Sequence, residues 1–179
     1  MKKLLSILSL AILISSCSET KERISIDKVT IVDGVCYLKT DMSLVTATVT
    51  LHFDNGQLEK EYNWKDGKKD GLDKEWYSNG QLEFEGNYKD GERDGLVKGW
   101  YEDGQLRGET NYKDGELDGL QKAWYDNGQL EGEGNFKDGK PDGSVKRWYD
   151  NGQLKREANW KDGKEVGYKF LDEDGNRIR

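Results

Sequence analysis

Very few of the residues that build covalent frameworks or nucleophilic sites occur in this chain. Two cysteines, Cys17 and Cys36, and one histidine, His52, stand among 179 residues. Two thiols so far from any spacing pattern give no disulfide framework, and Cys36 reads as a small apolar residue of a strand. One histidine cannot supply the base of a Ser/His/Asp or Cys/His system without an unusual site around it. Lys and Arg number 28 against 35 Asp and Glu, for a net charge of −7. That balance argues against nucleic acid and against capture by anionic lipid, since both need a cationic excess. No apolar run reaches the length that crosses a bilayer: the longest, Leu4 to Ile14, is too short.

That run follows Met1-Lys2-Lys3 and closes on Ile14-Ser15-Ser16-Cys17. A charged start, a short apolar stretch and small residues at its end read as a signal peptide over 1–16. The closing residues resemble the lipobox of bacterial lipoproteins, in which the cysteine becomes the acylated first residue. The resemblance implies a membrane anchor through acylated Cys17, hence a lipid-anchored protein of the cell envelope. Ser18 in place of Asp implies the outer membrane where the organism has one. Several acyl chains, at about 0.8 kcal/mol per buried methylene, hold a protein on a bilayer almost permanently. Loss of residues 1–16 removes two lysines and leaves 26 bases against 35 acids, a net charge of −9.

Internal repetition dominates what remains, with a period of 24 residues. Turn glycines fall at Gly56, Gly80, Gly104, Gly128 and Gly152, each followed by Gln and Leu. A second series, Gly67, Gly91, Gly115, Gly139 and Gly163, lies in Lys-Asp-Gly, and a third follows four residues later at 71, 95, 119, 143 and 167. Before the Asn-Gly or Asp-Gly of the last four of the first series stands an aromatic pair: Trp76-Tyr77, Trp100-Tyr101, Trp124-Tyr125 and Trp148-Tyr149. Asn-Gly and Asp-Gly tolerate the positive φ that two-residue hairpin loops need, so each unit reads as two antiparallel strands.

Period-2 counting places Leu82, Phe84, Gly86 and Tyr88 on one face, the expected core, and Glu83, Glu85 and Asn87 on the other. Parity alone does not decide which of Trp and Tyr is buried. The polar side repeats as ladders of Glu61, Glu85, Glu109, Glu133 and Glu157 with Asn63, Asn87, Asn111, Asn135 and Asn159. These ladders are expected opposite Leu and the aromatic. Lysines such as Lys74, Lys98, Lys122 and Lys146 are the expected cross-strand partners. The sharper reading is a repeated recognition surface for an extended partner. Identical carboxylates every 24 residues argue against the single asymmetric pair of a glycosidase. The Asp pairs of the Lys-Asp-Gly-x-x-Asp-Gly loops fall short of the six to eight oxygens that calcium prefers, so no metal and no cofactor is expected.

The ends depart from the repeat as caps do. His52-Phe53 replaces Trp-Tyr at the start and Phe170-Leu171 at the finish. Val29–Val32, Asp33-Gly34 and Val35–Leu38 read as a hairpin, and as the candidate first layer of the array. The expected organisation is a signal peptide at 1–16, a lipidated tether at 17–25, a hairpin cap at 26–50, the array at 51–175 and a tail at 176–179.

An aromatic, two residues, Gly, three residues, Gly, then Trp-Tyr, x-Asn/Asp-Gly and x-Leu, repeated five times over roughly 51–175, resembles the MORN-repeat variant family. The resemblance implies an all-β fold, an elongated open meander of antiparallel β-hairpin repeats. Many bacterial members are labelled antitoxins. The aromatic-x-Gly-x-Trp opening of standard MORN units is missing, so the lipid binding of those proteins does not carry over. Three functions follow as expectations. The first is a non-catalytic, envelope-anchored scaffold for a protein partner. The second is a module for a surface polysaccharide, carried by an exposed aromatic face of Trp76, Trp100, Trp124 and Trp148. The third is an envelope immunity or antitoxin-like protein.

Overall fold

The computed structural model describes residues 22–178. The signal peptide at 1–16 and Cys17 lie outside the described residues. The strands are β1 (Arg23–Ser25), β2 (Val29–Val32), β3 (Val35–Leu38), β4 (Ala47–His52), β5 (Leu58–Lys65), β6 (Lys68–Lys69), β7 (Gly71–Trp76) and β8 (Leu82–Lys89). There follow β9 (Glu92–Trp100), β10 (Leu106–Lys113), β11 (Glu116–Trp124), β12 (Leu130–Lys137), β13 (Lys140–Trp148), β14 (Leu154–Lys161), β15 (Lys164–Leu171) and β16 (Arg177–Ile178). From β4 onward successive strands of the large sheet pair antiparallel, except that the short β6 and β7 both pair with β5, and β1 lies parallel to β4 at the start. At about 4.8 Å per strand the ribbon runs roughly 60 Å. This is the expected open meander of hairpins.

Two kinds of loop build it, and they are not alike. At every Lys-Asp-Gly the two central residues both take positive φ, for example 51° at Asp90 and 98° at Gly91. This is the two-residue type I′ loop, whose twist suits the flanking strands. At the Asn-Gly turns only the glycine is left-handed, Gly80 at 86°. There the Gly80 N–H donates to Tyr77 O at 2.9 Å and the Tyr77 N–H to Gln81 O at 2.9 Å. The loop Ser78-Asn79-Gly80 therefore has three residues, a turn closed by a left-handed glycine, and corrects the expected two-residue loop.

That third residue comes with a bulge, which changes the faces. Glu75 opposes Phe84 but Trp76 opposes Leu82, so Glu83 is extra on its strand. Since Lys74 and Trp76 share a face by alternation and Lys74 opposes Glu85, Leu82 joins the glutamate side. The bulge recurs at Leu106, Leu130 and Leu154, opposite Trp100, Trp124 and Trp148. Leu thus lies on the face of the Glu and Asn ladders, and not opposite them as expected; Trp, whose face parity left open, lies there too, while Tyr88 stays opposite. The other face keeps Phe84, Gly86, Val97, Gly134, Val145 and Ala158.

Successive units are stitched at both long edges. Each Trp-Tyr tyrosine donates its hydroxyl to a main-chain carbonyl of the next unit: Tyr77 to Trp100 O at 2.8 Å, Tyr101 to Trp124 O at 2.7 Å, Tyr125 to Trp148 O at 2.8 Å and Tyr149 to Leu171 O at 3.1 Å. At the other edge the Gly91 N–H donates to Lys69 O at 2.9 Å and the Gly115 N–H to Arg93 O at 2.9 Å. Removing one hydroxyl, Tyr101→Phe, is expected to cost about 1 kcal/mol in a chemical-denaturation series. An unchanged midpoint would show that the bond contributes nothing.

Among the described residues, a clustered core forms only at the N-terminal end. Val29, Cys36, Val45, Ala47, Val49 and Trp64 are buried together, with Ile24, Ile26, Leu38 and Tyr62 against them. The hairpin β2–β3 is a separate two-stranded sheet packed on the ribbon, and not its first layer. Its Cys36 N–H donates to Gly67 O at 2.7 Å, and the Gly67 N–H donates to Val45 O at 2.8 Å. Arg23–Ser25, within the expected tether at 17–25, form β1, and Arg177–Ile178 of the expected tail form β16. At the C-terminal end a bulge beside Val166 and the short β16 blunt the open edge.

Candidate functional site

Each glutamate of the ladder is opposed by a lysine on both neighbouring strands over most of the ribbon. The register runs Glu61, Lys74, Glu85, Lys98, Glu109, Lys122, Glu133, Lys146, Glu157, Lys169, one residue per strand. Closed pairs include Lys74–Glu85 at 3.3 Å, Lys146–Glu157 at 4.0 Å and Lys169–Glu157 at 2.7 Å, while Arg23 of β1 meets Glu61 at 2.9 Å. Hydrogen bonding from Lys169 holds the Glu157 carboxyl below its ordinary range. A row of alternating sign with no excess charge is a cross-strand lattice, as its lysines lead one to expect.

The Asn ladder divides in two. The side-chain amides of Asn63 and Asn111 donate to the carbonyls of Leu72 and Leu120, the latter at 2.9 Å. Those two residues secure the bulged start of the neighbouring strand. Asn87, Asn135 and Asn159 are exposed. Trp76, Trp100, Trp124 and Trp148 are each half-buried, as are the adjacent tyrosines, so neither member of the pair fills a core and neither forms an open cage. In a single-layer sheet both faces are wet, and side chains shield each other along the rows only partly.

The opposite face carries a shallow trough of about 200 Å³. Its floor is Ala123, Gly132 and Gly134, and Phe136, Val145 and Arg147 rise at its sides. Glycine at 134 leaves room for Val145, since a Cβ there would stand 3.0 Å from Val145 Cγ2 and the valine would have to give by a few tenths of an ångström.

Period counting passed over one buried charge. Asp73 has 0 % of its surface exposed and occupies the place that Val97 and Val145 take in later units. Its carboxylate accepts the Asn63 N–H at 2.9 Å and meets Lys69 Nζ at 2.7 Å. The ammonium sits 3.9 Å from the Tyr62 ring centre and 4.7 Å from that of Tyr88. Burial pushes the Asp73 carboxyl above its ordinary range, against the pull of Lys69. The misfit of an aspartate with two valines 24 and 72 residues on was the available signal. Among the described residues, no group of three or more His, Cys, Asp and Glu is placed to hold a metal ion.

Residues 69–90, 93–114, 117–138 and 141–162 match the MORN repeat variant. No curated protein gives a significant match.

Proposed function

From four consecutive MORN repeat variant units in an open ribbon, we propose that the chain is a non-catalytic scaffold that holds a protein partner at the cell envelope. Acylated Cys17 fixes it to the membrane in this reading. The observation that carries it is the ribbon itself: a long, single-layer sheet with two solvent-facing surfaces and only shallow troughs. MORN repeats commonly serve in interactions with proteins or membranes. A flat repeated surface suits an extended partner, because several weak contacts held at fixed spacing add through effective concentration. The neutralised Glu/Lys row gives such a surface register without net attraction, so the trough face and its Phe136, Val145 and Arg147 supply the contact.

Photo-crosslinking in intact cells tests this. A photoreactive residue at Gln121, on the trough face, is expected to trap one discrete protein in the envelope fraction, and one at Lys122, on the Glu/Lys face, to trap it much less. Adducts to glycan alone, or none from either position, would contradict a protein scaffold. In the same cells Cys17→Ser is expected to abolish incorporation of a labelled fatty acid and to release the chain from the membrane fraction.

A further inference from the structure

Among the described residues, the large apolar side chains most open to solvent are not spread along the ribbon. Ile31, Val32, Met42 and Leu44, between 48 and 54 % exposed, stand on the N-terminal hairpin and the segment after it. The others, Val166, Tyr168 and Ile178, are at the blunted C-terminal edge. The repeats between contribute none.

The register shows how the N-terminal group is presented. Cys36 and Val29 turn inward to the core, so by alternation Val32, Val35 and Tyr37 lie on the other side, where Leu44 bridges to Tyr37. Val32 and Leu44 are its exposed members, Tyr37 and Val35 are half-buried with Val35 against Gly67 of the ribbon, and Ile31, opposite Cys36, lies on the core side. Met42 holds a φ of 58°. Every other non-glycine residue with positive φ is the aspartate of an Asp-Gly loop. A methionine in that conformation costs free energy, and here it sets the side chain on the outside of the fold.

Two further observations say what meets this surface. Glu22 and Ile24 line one cleft of about 250 Å³ with Leu38, Leu44 and Val45, so the chain leaves the fold beside the patch. Five residue steps separate Cys17 from Glu22, a reach of at most about 18 Å. Charge is also divided: residues 17–50 hold five acids and four bases, whereas residues 51–179 hold 30 acids and 22 bases. An anionic bilayer therefore repels the ribbon and tolerates the hairpin, whose apolar side chains gain by leaving water.

We infer that the outer face of the N-terminal hairpin, with Val32, Tyr37, Met42 and Leu44, seats in the interfacial layer of the membrane beside the acylated Cys17 and stands the acidic ribbon away from the surface. This rests on the anchoring read at Cys17, and makes the hairpin a second, weaker membrane contact that fixes orientation. Tyr37 suits the boundary, with an apolar ring and a hydroxyl for the wet side.

The test uses the full lipidated chain in phosphatidylethanolamine and phosphatidylglycerol vesicles, with single variants Val32→Cys, Leu44→Cys and Lys161→Cys labelled with pyrene. Acylation of Cys17 and burial of Cys36 leave the introduced thiol as the reactive one. Lipids brominated along the acyl chain are expected to remove most of the emission at 32 and 44 and to leave that at 161 unchanged. Protein that floats with the vesicles yet keeps its emission at 32 and 44 overturns the seated hairpin and leaves the anchor standing. Excimer emission at 32 overturns it in favour of a second copy. Failure to float overturns the anchor and the seat together.

Discussion

Lys69→Ala is expected to destabilise the ribbon by about 3 to 5 kcal/mol, because it leaves the fully buried carboxylate of Asp73 without its cation. The loss is large because the ammonium does three things at once: it meets Asp73 Oδ2 and lies against the rings of Tyr62 and Tyr88. Replacing both partners is a different matter. Other units place Leu117 where Lys69 stands and Val97 or Val145 where Asp73 stands. The double variant Lys69→Leu, Asp73→Val is therefore expected to unfold near the wild-type midpoint or above it, since two charges no longer leave water.

Acidity separates the two cases further. Burial raises the Asp73 pKa above the value of 3.8 that it has when unfolded. Between those two values the folded state binds more protons than the unfolded one, so this group adds stability as pH falls through the window. Without Lys69 the window widens, and Lys69→Ala is expected to recover part of its loss on acidification. The double variant has no such recovery. Urea midpoints over a pH series read both, and a Lys69→Ala variant insensitive to acid would show that Asp73 is not the cause.

Trp64→Ala carries the second large effect. Trp64 is 3 % exposed and packs in the one cluster that joins the hairpin β2–β3 to the ribbon. Truncating a buried tryptophan costs about 3 to 5 kcal/mol. The loss should be local. Repeats beyond β7 touch only their neighbours, so they are expected to keep their structure while the hairpin detaches. Limited proteolysis then cuts within residues 26–50 first, and unfolding monitored at the remaining tryptophans departs from a single transition. Cooperative loss of all signals together would mean that the ribbon depends on its cap throughout.

Much of this fold is legible in the sequence, and for local reasons. The 24-residue spacing of Asp-Gly and Asn-Gly, with strand residues between, already specifies a meander, since each hairpin is closed by its own loop. The pairing of Glu85 with Lys74 and Lys98 follows from the same spacing. Other features depend on one extra residue or on distant contacts. Asp90-Gly91 and Asp103-Gly104 are the same dipeptide, yet the first closes a two-residue loop and the second, like the Asn-Gly turns, a three-residue loop with a bulge. That bulge carries Leu82 and its equivalents to the other face, which simple alternation cannot show. The core of Cys36, Val45 and Trp64 gathers three segments that carry no shared pattern. In a chain with 35 % charged residues one aspartate draws no notice, so Asp73 emerges only when the units are superposed.

Collisional quenching of tryptophan emission by acrylamide, in residues 18–179 with and without cell-wall glycans, tests the central claim most directly. One tryptophan is buried and the others are half-buried, so quenching of intermediate strength with a protected fraction is expected, and added glycan should leave it unchanged. Strong quenching that glycan suppresses would instead make the row of Trp76, Trp100, Trp124 and Trp148 a sugar-binding face and contradict a scaffold for proteins.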